Sequence, residues 1–243
     1  MWTIWCRDLF QASQLLGQLR LRIALLATVI VCLAVILGVL IASASEDVRS
    51  SAYYLSAYEL LAGLWLAGAL RLFPFLGVSP RDDIVERKNR AALSTVVGAL
   101  AGVTACFAGS NVGNGPGPEC VIFCAVLTSG VFFLLWLLSD FAGSNWADAV
   151  TIDRDRGAGL RLGSLLLSIG LAIGSAATGD WVSAGDTVKD LALRGWPVIP
   201  VLSLALLSER PLRRVSKAYL SWAAAAAYVC LAVFCIAIER GSR

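Results

Sequence analysis

ERKNRAALST (residues 86–95) and IDRDRGAGLR (residues 152–161) are the stretches that decide the fold of this chain. In each, a group of charged residues is followed at once by a long run of small, mostly apolar residues. We call these two stretches the charged knots. An apolar segment also precedes each knot, so both knots lie between hydrophobic segments. This arrangement is typical of a chain that crosses a membrane, turns among charges and crosses again.

The composition points the same way. The chain is 58% hydrophobic and only 15% charged, whereas soluble domains are about 45–50% apolar and about 25% charged. The net charge of +3 is too small to suggest a nucleic-acid partner. We therefore predict an all-α, polytopic membrane helix bundle, embedded in a lipid bilayer and binding no nucleic acid.

Seven apolar segments are long enough to be predicted as transmembrane helices. They cover residues 21–43, 53–76, 90–110, 119–139, 157–178, 194–209 and 217–238. The sixth is the weakest because it is short and contains Pro197 and Pro200. We expect Pro197 in a first helical turn and a kink at Pro200.

The basic residues predict the orientation, because lysine and arginine concentrate in cytoplasmic loops. With seven helices, 15 of the 20 basic residues fall on one side and 5 on the other. Leaving out the sixth helix would place Arg213 and Arg214 on the outer side. We therefore predict a multi-pass protein of the bacterial inner (plasma) membrane, with a cytoplasmic N-terminus and a C-terminus outside.

The N-terminal part, residues 1–50, is predicted to contain an interfacial segment and the first transmembrane helix. Helical spacing of apolar residues before that helix indicates an amphipathic helix in the membrane interface, and a plain cytoplasmic extension is the alternative. These residues are Trp5, Leu9, Ala12, Leu16 and Leu19. IASAS (residues 41–45) also resembles a signal-peptide cleavage site, although the apolar run before it is long for a signal peptide.

An offset of 66 residues brings Asn89 over Asp155 and Arg90 over Arg156. Residues 51–180 are therefore predicted to hold two parallel copies of a two-helix unit, at 53–110 and 119–178. Residues 181–243 are predicted to be a degenerate third pair, in which Ser216 takes the place of Asn89.

Two interpretations of the knots remain open. In the first, Asn89, Asp155 and Ser216 are helix N-caps, whose side-chain oxygens accept hydrogen bonds from free backbone N–H groups. In the second, a polar cluster on the cytoplasmic side binds a headgroup, an ion or a partner. Its residues would be Asn89, Arg90, Asp155, Arg156 and Arg161.

Glycines behind the knots predict that the third and fifth segments pack closely. Gly98 and Gly102 form a G-x-x-x-G pattern in the third segment, and Gly170 and Gly174 form another in the fifth. Such spacings of small residues are common packing surfaces between membrane helices.

KNRAALSTVVGAL (residues 88–100) and RDRGAGLRLGSLL (residues 154–166) carry a family resemblance. With the helices between and before them, they resemble the YjfL-like bacterial inner-membrane family, a domain of unknown function often built from tandem two-helix units. The second copy departs from the pattern at Asp155 and Gly157. The resemblance covers roughly residues 53–178 and implies a plasma-membrane location without an established activity.

Residues for catalysis are scarce. The chain has no histidine, and its seven cysteines form no C-x-x-C pair, so we predict no metal, no cofactor and no enzymatic activity. A Cys106–Cys120 disulfide is an alternative to free thiols. We expect the side chains of Arg71 and Arg161 to extend to the membrane interface. Glu59 is expected to lie in the outer leaflet.

Hydroxyl groups are the main polar groups expected deep in the membrane. Such hydroxyls commonly bond across helices or back to their own backbone. They belong to Thr104, Thr128, Ser129, Ser168 and Ser203.

The favoured function is a non-enzymatic membrane scaffold or partner-binding subunit, bound to a second copy of itself or to another membrane protein. A channel or transporter for a small solute or ion is the alternative. A packed bundle with an exposed apolar face would favour the scaffold, whereas a polar, water-accessible cavity between the repeats would favour transport.

Overall fold

The structure is a computed structural model and describes residues 19–215 and 217–241. Ten α-helices are assigned within these residues. They are α1 (Leu19–Ser43), α2 (Glu46–Ser50), α3 (Ala52–Leu72), α4 (Arg90–Gly109), α5 (Pro118–Ser139), α6 (Trp146–Thr151), α7 (Arg156–Ala176), α8 (Ala184–Arg194), α9 (Val198–Val215) and α10 (Ala218–Gly241). A 3₁₀ turn (Phe73–Leu76) and two π-helical segments (Pro80–Glu86 and Asp140–Ser144) complete the connections.

The predicted all-α membrane bundle is confirmed. Six helices in the described part of the chain are long and apolar enough to cross a membrane, and a seventh is gained if α8 and α9 together form one bent span. This is the architecture of a multi-pass membrane protein. The predicted amphipathic helix before residue 19 lies outside the described residues, apart from Leu19 itself.

The sixth predicted segment has the wrong boundaries. The helix begins at Val198 and continues to Val215, and a bend of 46° separates it from α8. The break falls at Gly195–Pro197, because a residue before proline avoids the helical conformation. Pro200 does not kink the helix, since it occupies the first turn, where backbone N–H groups have no partner within the helix.

The centre of the bundle is the parallel pair α4 and α7, which make the most extensive contact between any two helices of the described residues. Helix α1 packs on the outer side of α4, and α10 packs on α7. Helices α3, α5 and α9 run in the opposite direction beside them. We call the end where α4 and α7 begin the charged end, and the end where they finish the loop end.

At the loop end, three extended segments continue α1, α4 and α7 and pair with one another. The N–H of Gly113 donates to the carbonyl of Ser43 at 3.3 Å, and the N–H of Gly179 donates to Val112 at 3.0 Å. Ala44 and Gly113 form a parallel bridge. The pairing fixes α1, α4 and α7 as parallel neighbours.

The described chain starts and finishes at opposite ends of the bundle. Leu19 lies at the charged end with the start of α4, and Gly241 lies at the loop end. An odd number of crossings gives this result, because α9 runs from the loop end, where Gly195 lies beside Ile173, to the charged end, where Glu209 meets Arg161. Which end faces the cytoplasm stays a prediction.

Candidate functional site

The two charged knots have the same local backbone geometry, 66 residues apart. Lys88 and Arg154 both adopt a positive φ of 54°. The N–H of Asn89 donates to the carbonyl of Asp83, and the N–H of Asp155 donates to that of Ala149, both at 2.9 Å. The internal repeat itself stays a prediction, and so do the boundaries of its copies.

The N-cap interpretation is confirmed for both knots within the described residues. The Asn89 side chain accepts from the N–H groups of Ala91 and Ala92, at 2.9 and 3.3 Å. The Asp155 side chain accepts from the N–H of Gly157 at 2.8 Å. Ser216, the predicted cap of the last helix, lies outside the described residues.

The close packing of α4 on α7 is also confirmed. A methyl group added to Gly98 would overlap the backbone of Gly163, and one added to Gly170 would overlap that of Gly102. Gly174 meets the backbone of Ala105 in the same way. The two helices therefore touch backbone to backbone, which leaves no passage between them.

The expectation that Arg161 extends to the membrane interface is wrong. The Arg161 side chain is 1% exposed, and its guanidinium makes a bidentate pair with Glu209 on α9, at 2.7 and 2.9 Å. It also donates to the Ser221 hydroxyl of α10 at 2.6 Å. The side chain is enclosed by α7, α9 and α10, so it does not reach water. We call these three residues the Arg161 cluster.

Sequence reasoning misses Glu209, which lies at the last position of the sixth predicted segment. The signal was present in the spacing of Val198, Val201, Ala205 and Glu209, which puts the glutamate on the buried face of α9. A buried carboxylate in a membrane helix needs a cationic partner. Arg161 is that partner.

The other members of the predicted binding cluster are not gathered into one pocket. Asp155 lies 3.8 Å from Arg161, but Arg90 and Arg156 are exposed. The amide of Asn89 donates to the carbonyl of Val150 at 2.6 Å and is buried. The knots thus form two separate caps, and a binding role for them stays a prediction.

The predicted intramembrane polar residues mostly serve helix contacts. Ser129 accepts a hydrogen bond from the indole N–H of Trp65 at 3.0 Å, which joins α3 to α5. Thr128 donates to the carbonyl of Cys124 at 2.8 Å and lies 3.4 Å from the Ser110 hydroxyl. Glu59 is partly buried on α3, two turns from the loop end.

Cys106 and Cys120 are free thiols, so the alternative of a disulfide between them is wrong. Cys106 instead packs on α7, with its sulfur 3.9 Å from the carbonyl of Gly170. Residues 19–215 and 217–241 contain no group of three or more histidine, cysteine or carboxylate side chains placed to hold a metal ion.

One face of the central pair is left uncovered and forms an apolar groove of about 540 Å³. Its floor is α4 and α7, and its walls are α1 and α10. The floor includes Ala101, Ala105, Gly109, Leu171 and Ser175. We call it the lateral groove. Arg240, at the loop end, is the one ionisable side chain other than cysteine among the described lining residues.

Comparison with known proteins gave no match to a family model, to a curated protein or to a solved structure. The resemblance to the YjfL-like family therefore stays an expectation. Function has to be argued from the geometry.

Proposed function

We propose that this protein is a non-enzymatic scaffold of the bacterial inner membrane, and that its lateral groove binds one transmembrane helix of a partner protein. The observation that carries the proposal is the groove itself. It is an exposed apolar groove that runs along the most tightly packed pair of helices, in the loop-end half of the bundle.

The floor of the groove has the surface that membrane helices use to associate. Ala101, Ala105 and Gly109 recur at every fourth residue along α4 and line the groove together. Lipid offers no hydrophobic gain for helix association, so close van der Waals approach across small residues supplies the free energy. A bilayer-spanning helix matches this floor better than a flexible lipid chain does, since it presents a continuous ridge of side chains.

The walls of the groove are apolar and come from two helices. Val31, Val35 and Val39 line one side from α1, and Val233 and Ile236 line the other from α10. These β-branched side chains are stiff at χ1, so the walls are preorganised and little conformational entropy is lost on binding.

The interior of the bundle supports a scaffold more than a transporter. Backbone contact between Gly98 and Gly163 closes the interface between the predicted repeats. The buried charges of Arg161 and Glu209 neutralise each other instead of facing a cavity. Transport along this interface would require both contacts to open.

The membrane and the orientation are part of the proposal. The bacterial inner membrane is supported by the YjfL-like resemblance. The excess of basic residues on the charged end supports a cytoplasmic location for that end. The N-terminus would then be cytoplasmic, and the groove would face the outer leaflet.

The test is purification of the tagged full chain in a mild detergent, with its mass measured by light scattering. We expect the wild-type protein to carry a partner of constant mass, and Ala101→Phe and Ala105→Phe to lose it because the new rings fill the floor. Val126→Phe on α5 is the matched control, since Val126 is 57% exposed on another face of the bundle.

Unchanged melting temperatures would show that the groove variants remain folded. The proposal would be overturned if the wild-type chain carried only lipid, or if Val126→Phe lost the partner to the same degree as Ala105→Phe. A mass equal to two copies of this chain would identify the partner as a second copy.

Transport of a small solute is the second candidate, favoured by a partly polar cleft of about 640 Å³ at the loop end. It predicts protein-dependent solute flux in proteoliposomes. The transport function would replace the scaffold function if two results were obtained together. The protein would carry no partner in detergent, and the solute flux would be the same in Ala105→Phe as in the wild type.

A further inference from the structure

A cleft at the loop end has a chemistry that neither the scaffold nor the fold requires. It lies between α2, the first turns of α3, and the loops that follow α4 and α7. Its volume is about 640 Å³, within the range of small-molecule sites, which are about 300–1,000 Å³. We call it the loop-end cleft.

Negative charge is in excess in this cleft. Its described lining contains Asp47, Asp180, Asp190 and one basic residue, Arg194. Arg194 pairs with Asp190 at 3.1 Å. Asp47 and Asp180 have no cationic partner among the described residues, so the lining has two uncompensated carboxylates.

Neighbouring groups act on both carboxylates. Asp180 accepts from the backbone N–H and the side-chain amide of Asn114, at 2.8 and 3.1 Å. Asp47 lies in α2, outside the membrane spans, where a hydrogen bond from the Ser45 side chain lowers its pKa. Asp47 is therefore ionised throughout the neutral range.

Aromatic side chains line the same cleft from two sides. Tyr53, Tyr54 and Tyr58 come from the first turns of α3, and Trp181 comes from the loop after α7. Trp181 is held edge-to-face against Phe123, with ring centroids 5.5 Å apart. Aromatic faces attract cations, and the attraction grows as the cation loses water.

An unpaired acceptor completes the lining. Asn111 is 4% exposed, and its amide N–H donates to the carbonyl of Phe107 at 2.7 Å. That bond leaves the side-chain oxygen as the free atom, and it has no hydrogen-bond partner among the described residues. A buried carbonyl oxygen without a donor is unfavourable, so it points to a ligand that supplies an N–H.

We propose that the loop-end cleft binds a small organic ammonium ion, with Asp47 and Asp180 supplying the charge, the aromatic residues packing on its apolar part and Asn111 accepting an N–H. Carboxylates, a carbonyl oxygen and aromatic faces all favour a cation. An inorganic cation would leave the aromatic lining unused.

Three probes of similar shape test the proposal by calorimetry on the full chain in detergent at neutral pH. They are 2-phenylethylammonium, neutral 2-phenylethanol and anionic phenylacetate. We expect saturable binding of the ammonium ion at one site. Asp47→Asn and Asp180→Asn should each weaken it about fivefold, since one nearby charge contributes about 1 kcal/mol at an exposed site.

Glu46→Gln is the matched control, because Glu46 is the exposed neighbour of Asp47 and does not line the cleft. It should leave the affinity unchanged. Both aspartate variants keep a side-chain oxygen, so their melting temperatures should match the wild-type value.

Four results would overturn the proposal. The first is equal binding of 2-phenylethanol, which would make the cleft merely apolar. The second is tighter binding of phenylacetate, which would assign the site to Arg194. The third is an absence of ammonium binding. The fourth is an equal loss in Glu46→Gln, which would reduce the effect to general surface charge. The partner-binding test above has a separate readout, so the two proposals fail independently.

Discussion

Helix α7 meets its two parallel neighbours in different ways. Against α4 it packs through glycines, with backbones in contact along the whole length. Against α10 and α9 it uses the buried guanidinium of Arg161, paired with Glu209 and Ser221. Thr95 takes the place of Arg161 when the two copies are aligned, and its hydroxyl reaches the carbonyl of Gly159 at 3.3 Å.

The comparison shows that α7 is held against its neighbours by two different kinds of contact. The α4–α7 contact is made mainly by backbone and small residues, and it depends on the absence of larger side chains. The contact of α7 with α9 and α10 includes buried polar side chains that satisfy one another. The first tolerates no added volume, whereas the second tolerates no lost partner. Substitutions at the two contacts should therefore fail for different reasons.

The largest effect is expected at the ionic contact. Arg161→Met leaves the carboxylate of Glu209, which is 0% exposed, without its partner. Breaking a buried pair from one side costs about 3–5 kcal/mol. The free energy of unfolding should fall by this amount in mixed micelles of a mild detergent and dodecyl sulfate.

The double variant Arg161→Met/Glu209→Met is the control for charge. Apolar pairs of similar volume often replace buried ion pairs without loss, so most of the stability should return. A double variant no more stable than Arg161→Met would mean that packing, and not the unpaired charge, sets the loss.

At the glycine contact, Gly98→Leu should lower the free energy of unfolding by about 1–3 kcal/mol or more, because its side chain would overlap the backbone of Gly163. Gly130→Leu on α5 is the matched control, since nothing lies within 4 Å of an added Cβ there. Helix propensity alone would favour leucine at both positions, so an equal loss in the two variants would contradict a specific contact at Gly98.

Removing the N-caps of the two charged knots should lower the free energy of unfolding less than breaking the ionic contact does. Asn89→Ala should cost about 2 kcal/mol, because it removes a cap and leaves the carbonyl of Val150 unpaired. Asp155→Ala should cost about 1 kcal/mol. The unfolding free energies of the two variants, measured side by side, test this order, and equal values would contradict it.

The smallest effect is expected for Asp155→Asn, which keeps the cap and removes the charge. Stability should change by less than about 0.5 kcal/mol, since Arg161 lies 3.8 Å from Asp155 and already makes its bidentate pair with Glu209. A folded Asp155→Asn protein without cellular activity would instead support a binding role for the knots.

Local patterns in the sequence predicted much of this fold. Apolar length located the spans, and Asn89 and Asp155 marked helix starts because a cap is a contact within three residues. The spacing of Gly98 and Gly102 predicted close packing, since any partner helix must meet the same small surface.

Contacts between distant segments could not be predicted in the same way. Pairing Arg161 with Glu209 requires knowing that α7 and α9, whose paired residues are 48 positions apart, pack against each other at the charged end. The loop-end cleft depends on loops 66 residues apart meeting, as Asn114 and Asp180 do. The loop that contains Asn114 is rich in glycine and proline, which is typical of a turn. Its polar side chains therefore gave no separate indication of a site.

The central claim is that the lateral groove binds a partner helix, and photo-cross-linking in cells tests it most directly. A benzoylphenylalanine replaces Leu171 on the groove floor or, as control, Val126 on the lipid-facing side of α5. We predict one adduct of constant mass from position 171, lost on adding Ala101→Phe, and none from position 126. Lipid adducts alone from both positions, or the same protein adduct from both, would contradict the claim.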